Sequence, residues 1–202
     1  MKRERRHRSK HACRLAVGLM AAGVSLGCGS DRASSPSPSP AAPQNALTFS
    51  GDPGEYVSDG RSWQLSSQEA LFAAATACNG SFIEIQVRPP NDLWILRLVA
   101  PTGRTLAPGQ FGGAVNWSTQ QTLSPSMMLS GNGRACGRSG GDFTVTEAQF
   151  APDGSVIRFA ASFGQRCVNF IEEPRLSMVP WLRGTVSLTN PPKPSESNLP
   201  CR

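Results

Sequence analysis

Histidine is nearly absent from this chain of 202 residues. Both histidines, His7 and His11, lie close to the start, so every later segment lacks that side chain. The later segments therefore cannot supply the general base of Ser-His-Asp or Cys-His catalysis, or the usual histidine ligands of zinc. Hydrolysis by a carboxylate pair and calcium held by oxygen ligands stay open.

After its first 14 residues the chain carries no net charge. The whole sequence has a formal net charge of +6. Seven of the 20 Lys and Arg residues, but only one of the 14 Asp and Glu residues, precede position 15, which leaves 13 of each sign. Because binding to nucleic acid rests on neutralising many phosphates, we expect no nucleic-acid partner. No catalytic carboxylate pair is marked either, and we expect no enzymatic activity, cofactor or metal.

The N-terminal apolar run is too short to span a bilayer. Residues 15–26 (LAVGLMAAGVSL) form an uncharged stretch of 12 residues, whereas a transmembrane helix needs about 20. The stretch follows a start that is crowded with Lys and Arg. A basic start followed by a short apolar run is typical of a secretion signal, so we predict a signal peptide over residues 1–27.

The predicted signal ends in Val24-Ser25-Leu26-Gly27-Cys28. This sequence resembles the lipobox of bacterial lipoproteins, in which small residues precede a cysteine. The resemblance implies that Cys28 receives a diacylglycerol and becomes the new N-terminus, so that the chain is anchored to a membrane of the cell envelope. Gly29, in place of Asp, implies the outer membrane in a cell that has one. Ordinary secretion and an uncleaved anchor are the alternatives.

Composition divides the remaining sequence into three parts. Residues 28–45 are rich in Ser, Pro and Ala, which indicates an extended tether of up to about 50 Å. Residues 46–190 have the size of one ordinary domain. Residues 191–202 are again rich in Pro and Ser, and they end in Cys201 and Arg202.

Hydrophobic residues of the domain alternate with a period of two. Phe82–Val87 (FIEIQV) and Val156–Phe163 (VIRFAASF) each place apolar side chains on one face, as β-strands do. Asp153-Gly154 predicts a hairpin that joins the second of these strands to Asp142–Phe150. The apolar phase changes within Asp142–Phe150, so we predict a β-bulge near Glu147.

One segment allows two interpretations. Ser66-Ser67-Gln68-Glu69 has the form of a capping box, and the alanine-rich run Ala70–Cys78 that follows favours a short helix ending at Asn79-Gly80. The same run can form a strand that leads into Phe82–Val87. Local pattern favours the helix.

Several segments together are similar to an uncharacterised β-sandwich module of secreted bacterial proteins. They are Leu47–Tyr56, Leu106–Phe111, Ser130–Cys136, Asp142–Glu147 and Val156–Cys167. The resemblance covers about residues 47–189 and implies an all-β fold, an antiparallel, jelly-roll-like β-sandwich. It also favours a strand over Ala70–Cys78.

Four cysteines follow the tether: Cys78, Cys136, Cys167 and Cys201. An even number in an exported chain predicts two disulfides, with three possible connectivities. The resemblance implies a Cys136–Cys167 bond. Cys78 is then left to pair with Cys201, which would pin the tail to the domain. A metal held by four thiolates is the alternative, although the sequence has no Cys-x-x-Cys pair.

Aromatic side chains are the candidate ligand contacts, because they can stack on sugar rings. Trp117 lies in a polar stretch and is the best candidate for exposure, followed by Tyr56 and Trp63. Trp94 lies in the apolar run 93–100 and is a predicted core residue.

Two clusters have competing interpretations. Asp52, Glu55 and Asp59 could hold calcium, or Asp-Pro-Gly and Asp-Gly could simply form turns. The glycine-rich segment Ser130–Gly141 could bind phosphate, but no Gly-Lys-Ser/Thr follows it, which favours a disulfide-anchored loop.

The sequence thus predicts a lipid-anchored, non-catalytic binding module for envelope or extracellular glycan. The alternative is an accessory subunit that docks onto a larger envelope protein complex.

Overall fold

The computed structural model describes residues 45–117, 123–167 and 179–195. The strands within these ranges are β1 (Ala46–Gly51), β2 (Ser62–Ser66), β3 (Leu71–Ala77), β4 (Phe82–Arg88), β5 (Trp94–Val99), β6 (Gly109–Asn116), β7 (Ser126–Gly131), β8 (Ser139–Phe150), β9 (Val156–Cys167) and β10 (Leu182–Thr189). A short 3-10 turn, Cys78–Gly80, separates β3 from β4. In the described part of the chain no helix combines the length and the hydropathy that crossing a membrane requires.

All these strands belong to one sheet, in the order β2-β1-β10-β9-β8-β6-β7-β5-β4-β3. Neighbouring strands are antiparallel, except that β6 and β7 run parallel over a short stretch. The sheet curls into a half-barrel. β1 and β10 come from opposite ends of the domain and lie side by side, so the N- and C-terminal parts fold as one unit.

The concave side of the sheet, here called the inner face, holds the hydrophobic core. Ile83, Ile85 and Leu96 are fully buried, because side chains alternate between the two faces of a strand. The curl brings β1 over β5, where the ring centroid of Phe49 lies 4.6 Å from that of Trp94. Trp94 is fully buried, as predicted.

The all-β prediction is confirmed, whereas the two-sheet β-sandwich is not. The strands form one continuous sheet that faces itself across the core. Pairing registers shift at Phe111/Ala114 in β6 and at Val145/Glu147 in β8. Such bulges increase the local twist of a sheet and let it curve without being split in two.

The predicted hairpin and bulge are confirmed. β8 and β9 pair on either side of Asp153-Gly154, and the register of β8 shifts next to Glu147. A second register shift, between Gln149 and Phe150, leaves Ile157 of β9 without a direct partner in β8. Ile157 is therefore 41% exposed rather than buried.

The segment Ala70–Cys78 forms a strand, so the helix that its local pattern favours is wrong. Leu71–Ala77 pairs along its whole length with β4 and buries Phe72. Burial in the sheet outweighs the helix propensity of alanine, because propensity differences between ordinary residues are below about 1 kcal/mol per residue. The capping-box residues do contact each other: Ser66 Oγ donates to Glu69 Oε2 at 3.1 Å, which closes the turn before β3.

The Cys136–Cys167 disulfide is present, as the resemblance implies. It joins the loop after β7 to the last residue of β9. The predicted Cys78–Cys201 bond involves the tail after position 195, which lies outside the described residues. The predicted signal peptide, Cys28 and nearly all of the tether also lie outside them.

Candidate binding face

A row of uncharged polar side chains crosses six neighbouring strands on the convex side of the sheet, here called the outer face. Direct pairing partners place them side by side, from β2 through β1, β10, β9 and β8 to β6. The outer row consists of Gln64, Thr48, Thr185, Ser162, Thr144 and Gln110. Because neighbouring strands lie about 4.8 Å apart, the outer row spans about 24 Å.

Strand alternation explains why the outer row faces solvent. In β1, Leu47 and Phe49 point into the core, so Thr48 between them points outward. Ser162 is exposed between buried Ala161 and buried Phe163 in the same way. The side chains of the outer row are exposed or half-buried. Thr48 Oγ1 and Thr185 Oγ1 share a hydrogen bond of 2.8 Å, which fixes the spacing of two hydroxyls.

A shallow groove of about 370 Å³ covers the first three positions of the outer row. Its walls are Thr48, Phe49, Ser50, Ser62, Trp63, Gln64, Arg183, Gly184 and Thr185. Hydroxyls and amides predominate among the side chains on the outer face, and Arg183 supplies a positive charge there. Such a lining offers donors and acceptors to a polar ligand without many charges to desolvate.

Trp181 lies beside this groove and over β9. A Cβ atom at Gly164 would come within 3.1 Å of the Trp181 ring, so the missing side chain of Gly164 makes room for the indole. The guanidinium carbons of Arg166 and Arg183 lie 3.7 and 4.9 Å from the ring centroid. Asp52 accepts a 2.9 Å hydrogen bond from the Trp181 backbone N–H.

The sequence pattern did not single out Trp181 as a ligand contact. The available signal was Gly164, a glycine at an outward position inside a long alternating strand. Such a glycine often marks a close approach by another group. The position of Trp181 itself depends on pairing between β9 and β10, which local pattern does not give.

Trp117, the first predicted ligand contact, is half-buried rather than exposed. The guanidinium carbon of Arg97 lies 4.3 Å from its ring centroid. Arg97 Nε in turn donates a 2.7 Å hydrogen bond to Glu84 Oε2, and Glu84 is buried. Part of one face of the Trp117 ring is therefore already occupied by a paired arginine.

Tyr56 and Trp63 lie near the other edge of the sheet. Tyr56 is 51% exposed in the loop between β1 and β2, and the Arg134 guanidinium carbon lies 5.5 Å from its ring centroid. Trp63 borders the groove, but its ring centroid lies 4.9 Å from that of Trp94 in the core. Trp63 lies on β2 and Trp117 follows β6, five positions away in the sheet order.

The three carboxylates of the predicted calcium cluster have separate partners. Asp52 bonds to the backbone of Trp181, and Asp59 Oδ1 accepts a 2.7 Å bond from Arg134. Glu55 is buried and accepts hydrogen bonds from Val57 and Ser58 of its own loop. In the described ranges no group of three potential ligands is placed to hold a metal ion.

The chain matches no family model, no curated protein and no solved structure.

Proposed function

We propose that the protein is a non-catalytic module that binds a neutral polysaccharide along the outer face of its sheet. The observation that carries this proposal is the outer row, in which six strands in succession present a hydroxyl or an amide. An extended polymer repeats its hydroxyl groups along its length. A regular row of uncharged donors and acceptors therefore suits an extended polymer better than it suits a compact ligand.

Trp181 supplies the apolar part of the site. The indole lies over Gly164 and stacks with Arg166, which is 3.7 Å from the ring centroid, so a sugar would contact the part of the half-buried ring that these groups leave exposed. Burial of that apolar surface contributes more than a single hydrogen bond does. Arg183 lines the groove and also contacts the ring, so groove and indole form one continuous surface. A polysaccharide lying across the strands would contact both.

The proposed location is the cell envelope, with Cys28 as the lipid anchor and residues 28–45 as the tether. The basic start, the short apolar run and the lipobox-like Val24–Cys28 support it. Two or three acyl chains would give a stable attachment, since each buried CH₂ contributes about 0.8 kcal/mol. A tether of this kind would leave the outer face free to meet a polymer.

We also infer that the sheet acts as a sandwich-like, jelly-roll-like scaffold, although it is continuous. Phe49 of β1 and Trp94 of β5 pack against each other across the core, as residues of two facing layers would. The packed core between the two facing halves of the sheet holds the strands of the outer face in place. A rigid support is needed if the spacing of the outer row is to match a regular polymer.

The alternative function, docking onto an envelope protein complex, needs a contiguous apolar patch. Among the described residues the exposed large apolar side chains are few and occupy separate stretches of the chain. They are Tyr56, Leu71, Val115, Leu123 and Ile157. Leu71, Val115 and Ile157 lie on β3, β6 and β9, no two of which are neighbours in the sheet order. This arrangement favours the polysaccharide.

Retention on insoluble polysaccharides tests the proposal. The full lipidated protein, extracted in mild detergent, is passed over the uncharged polysaccharides cellulose and chitin. We expect retention on at least one of them, and a loss of about tenfold or more in affinity, or 1.4 kcal/mol, for Trp181→Ala and for Thr185→Ala/Ser162→Ala. Gln68→Ala, an exposed change outside the outer face, is the matched control.

Each outcome of this experiment is informative. Loss in the outer-face variants with an unchanged melting temperature supports the proposal. Loss with Trp117→Ala alone would move the site to the Trp117–Arg97 stack. Absence of retention on every polymer would contradict polysaccharide binding.

A further inference from the structure

A cavity of about 590 Å³ lies beside the β8–β9 turn, near the start of β9. Three segments enclose it: the turn after β3, the loop between β5 and β6, and the β8–β9 turn. Among the residues that line it are Ala77, Asn79, Leu106, Pro108, Phe150 and Gly154. The lining combines apolar side chains with backbone and amide groups. This surface can accept an extended peptide with an apolar centre.

The C-terminal tail leads to the rim of this cavity. After β10, Asn190 N donates to Ile157 O at 2.9 Å, which carries the chain across the β8–β9 hairpin. Lys193 Nζ then donates to the backbone oxygen of Asp153 at 2.6 Å and to Asp153 Oδ2 at 3.1 Å. Asp153 lines the cavity. Pro194, one residue further, is buried.

The tail and the β8–β9 turn together cover the free edge of β3. Ala74 N donates to Pro192 O of the tail at 2.9 Å, whereas Thr76 N donates to Gly154 O of the turn at 3.0 Å. Cys78 follows Thr76 by two residues, in the 3-10 turn after β3. Pro192 and Gly154 therefore lie along the edge that leads to the cysteine expected to pair with Cys201.

Chain length allows this pairing. Cys78 is four strand positions beyond Ala74, a distance of about 13 Å. Cys201 is nine residues beyond Pro192, a length of chain that can span up to about 30 Å. The tail can therefore reach Cys78 with slack to spare.

We propose that residues 196–202 of the tail occupy this cavity and that Cys201 forms a disulfide with Cys78. Leu199 and Pro200 precede the cysteine and match the apolar wall made by Leu106, Pro108 and Phe150. The two thiols would transfer two electrons and two protons to the disulfide of an exchange protein in the export compartment. That partner disulfide becomes a dithiol as the new S–S bond forms.

Tryptic mapping of the full chain without reduction tests the bond. Because trypsin does not cleave before proline, Cys78 falls in the peptide 62–97 and Cys201 in the peptide 184–202. We expect these two peptides to be joined, separately from 135–138 joined to 167–175. A free Cys201 thiol, or Cys201 joined to any other cysteine, would overturn the proposal.

Hydrogen exchange tests whether the tail fills the cavity. Ending the chain after Ser195 should speed amide exchange at positions 76–80 and 105–108 by about tenfold or more, because the backbone that lines the cavity is then exposed to water. Cys201→Ser, which keeps the whole tail, should speed it less, and Ser197→Ala is the matched control. Unchanged exchange in the shortened chain would overturn occupancy even if the bond is found.

Discussion

The side-chain amide of Gln165 forms two hydrogen bonds with the backbone of Leu129. Leu129 N donates to Gln165 Oε1 at 2.7 Å, and Gln165 Nε2 donates to Leu129 O at 3.1 Å. β6 pairs with β7 only at Ser126 and Met127, so Leu129 lies beyond the reach of that strand. Gln165 is fully buried. Its side-chain amide binds the N–H and C=O of Leu129 that a neighbouring strand would otherwise bind.

Gln165→Leu should strongly destabilise the fold. The variant keeps a side chain of similar size but leaves the N–H and C=O of Leu129 buried without their partner, at a cost of about 2–4 kcal/mol. Urea unfolding measures the loss. Gln149→Ala, an exposed change on β8, should stay within about 0.5 kcal/mol of the parent. Equal stability of both variants would show that Gln165 has no such role.

Glu55 should organise the loop that precedes β2. Its carboxylate accepts bonds from Val57 N at 3.0 Å and from Ser58 N and Oγ at 2.6 Å. Gly51 leaves space for it, because a Cβ there would lie 2.8 Å from Glu55 Cβ.

Glu55→Ala should cost about 1–3 kcal/mol, since it leaves buried loop donors without an acceptor. Exchange of the amides in residues 52–61 should also speed up. Glu147→Ala removes a half-exposed ion pair and should change stability by no more than about 1 kcal/mol. The expectation fails if loop exchange is the same in both variants.

The pKa of Asp153 should report the contact between the tail and the β8–β9 turn. The backbone N–H of Ser155, then its hydroxyl and the Lys193 side chain, lower this pKa from 3.8 to about 2. Because the folded pKa lies below the unfolded one, the ionised group stabilises the fold above about pH 4. This contribution is lost as the pH falls from there through about 2.

A carbon-13 NMR titration of the Asp153 carboxyl measures this pKa. The midpoint should lie near 2, and Lys193→Ala should raise it because one hydrogen-bond donor is removed. Arg88→Ala, an exposed change of a basic residue at the end of β4, provides the control substitution. A midpoint near 3.8 in the parent protein would show that the turn and the tail do not hold the carboxylate.

Local alternation was enough to predict several features of the fold. The strands at Phe82–Val87 and Val156–Phe163, the hairpin at Asp153-Gly154 and the bulge near Glu147 follow from neighbours in sequence. Each of these features depends on contacts that a short window contains. The all-β class, in contrast, is implied by the resemblance to a secreted β-sandwich module.

Features that depend on distant pairing could not be predicted in this way. The outer row exists because Thr48 pairs with Thr185 and Ser162 with Thr144, and no local rule fixes those registers. The single curled sheet depends on the same long-range order. Gln165 occupies an inward position in a hydrophobic pattern, and its partner is an amide 36 residues away.

Hydroxyl-radical footprinting of the full protein, with and without the polysaccharide that retains it, tests the central claim most directly. Trp181 and Trp117 are both half-buried, so each serves as the control for the other. Polysaccharide bound on the outer face should protect Trp181 from oxidation and leave Trp117 unchanged. Protection of Trp117 alone, or of neither tryptophan, would contradict binding on the outer face.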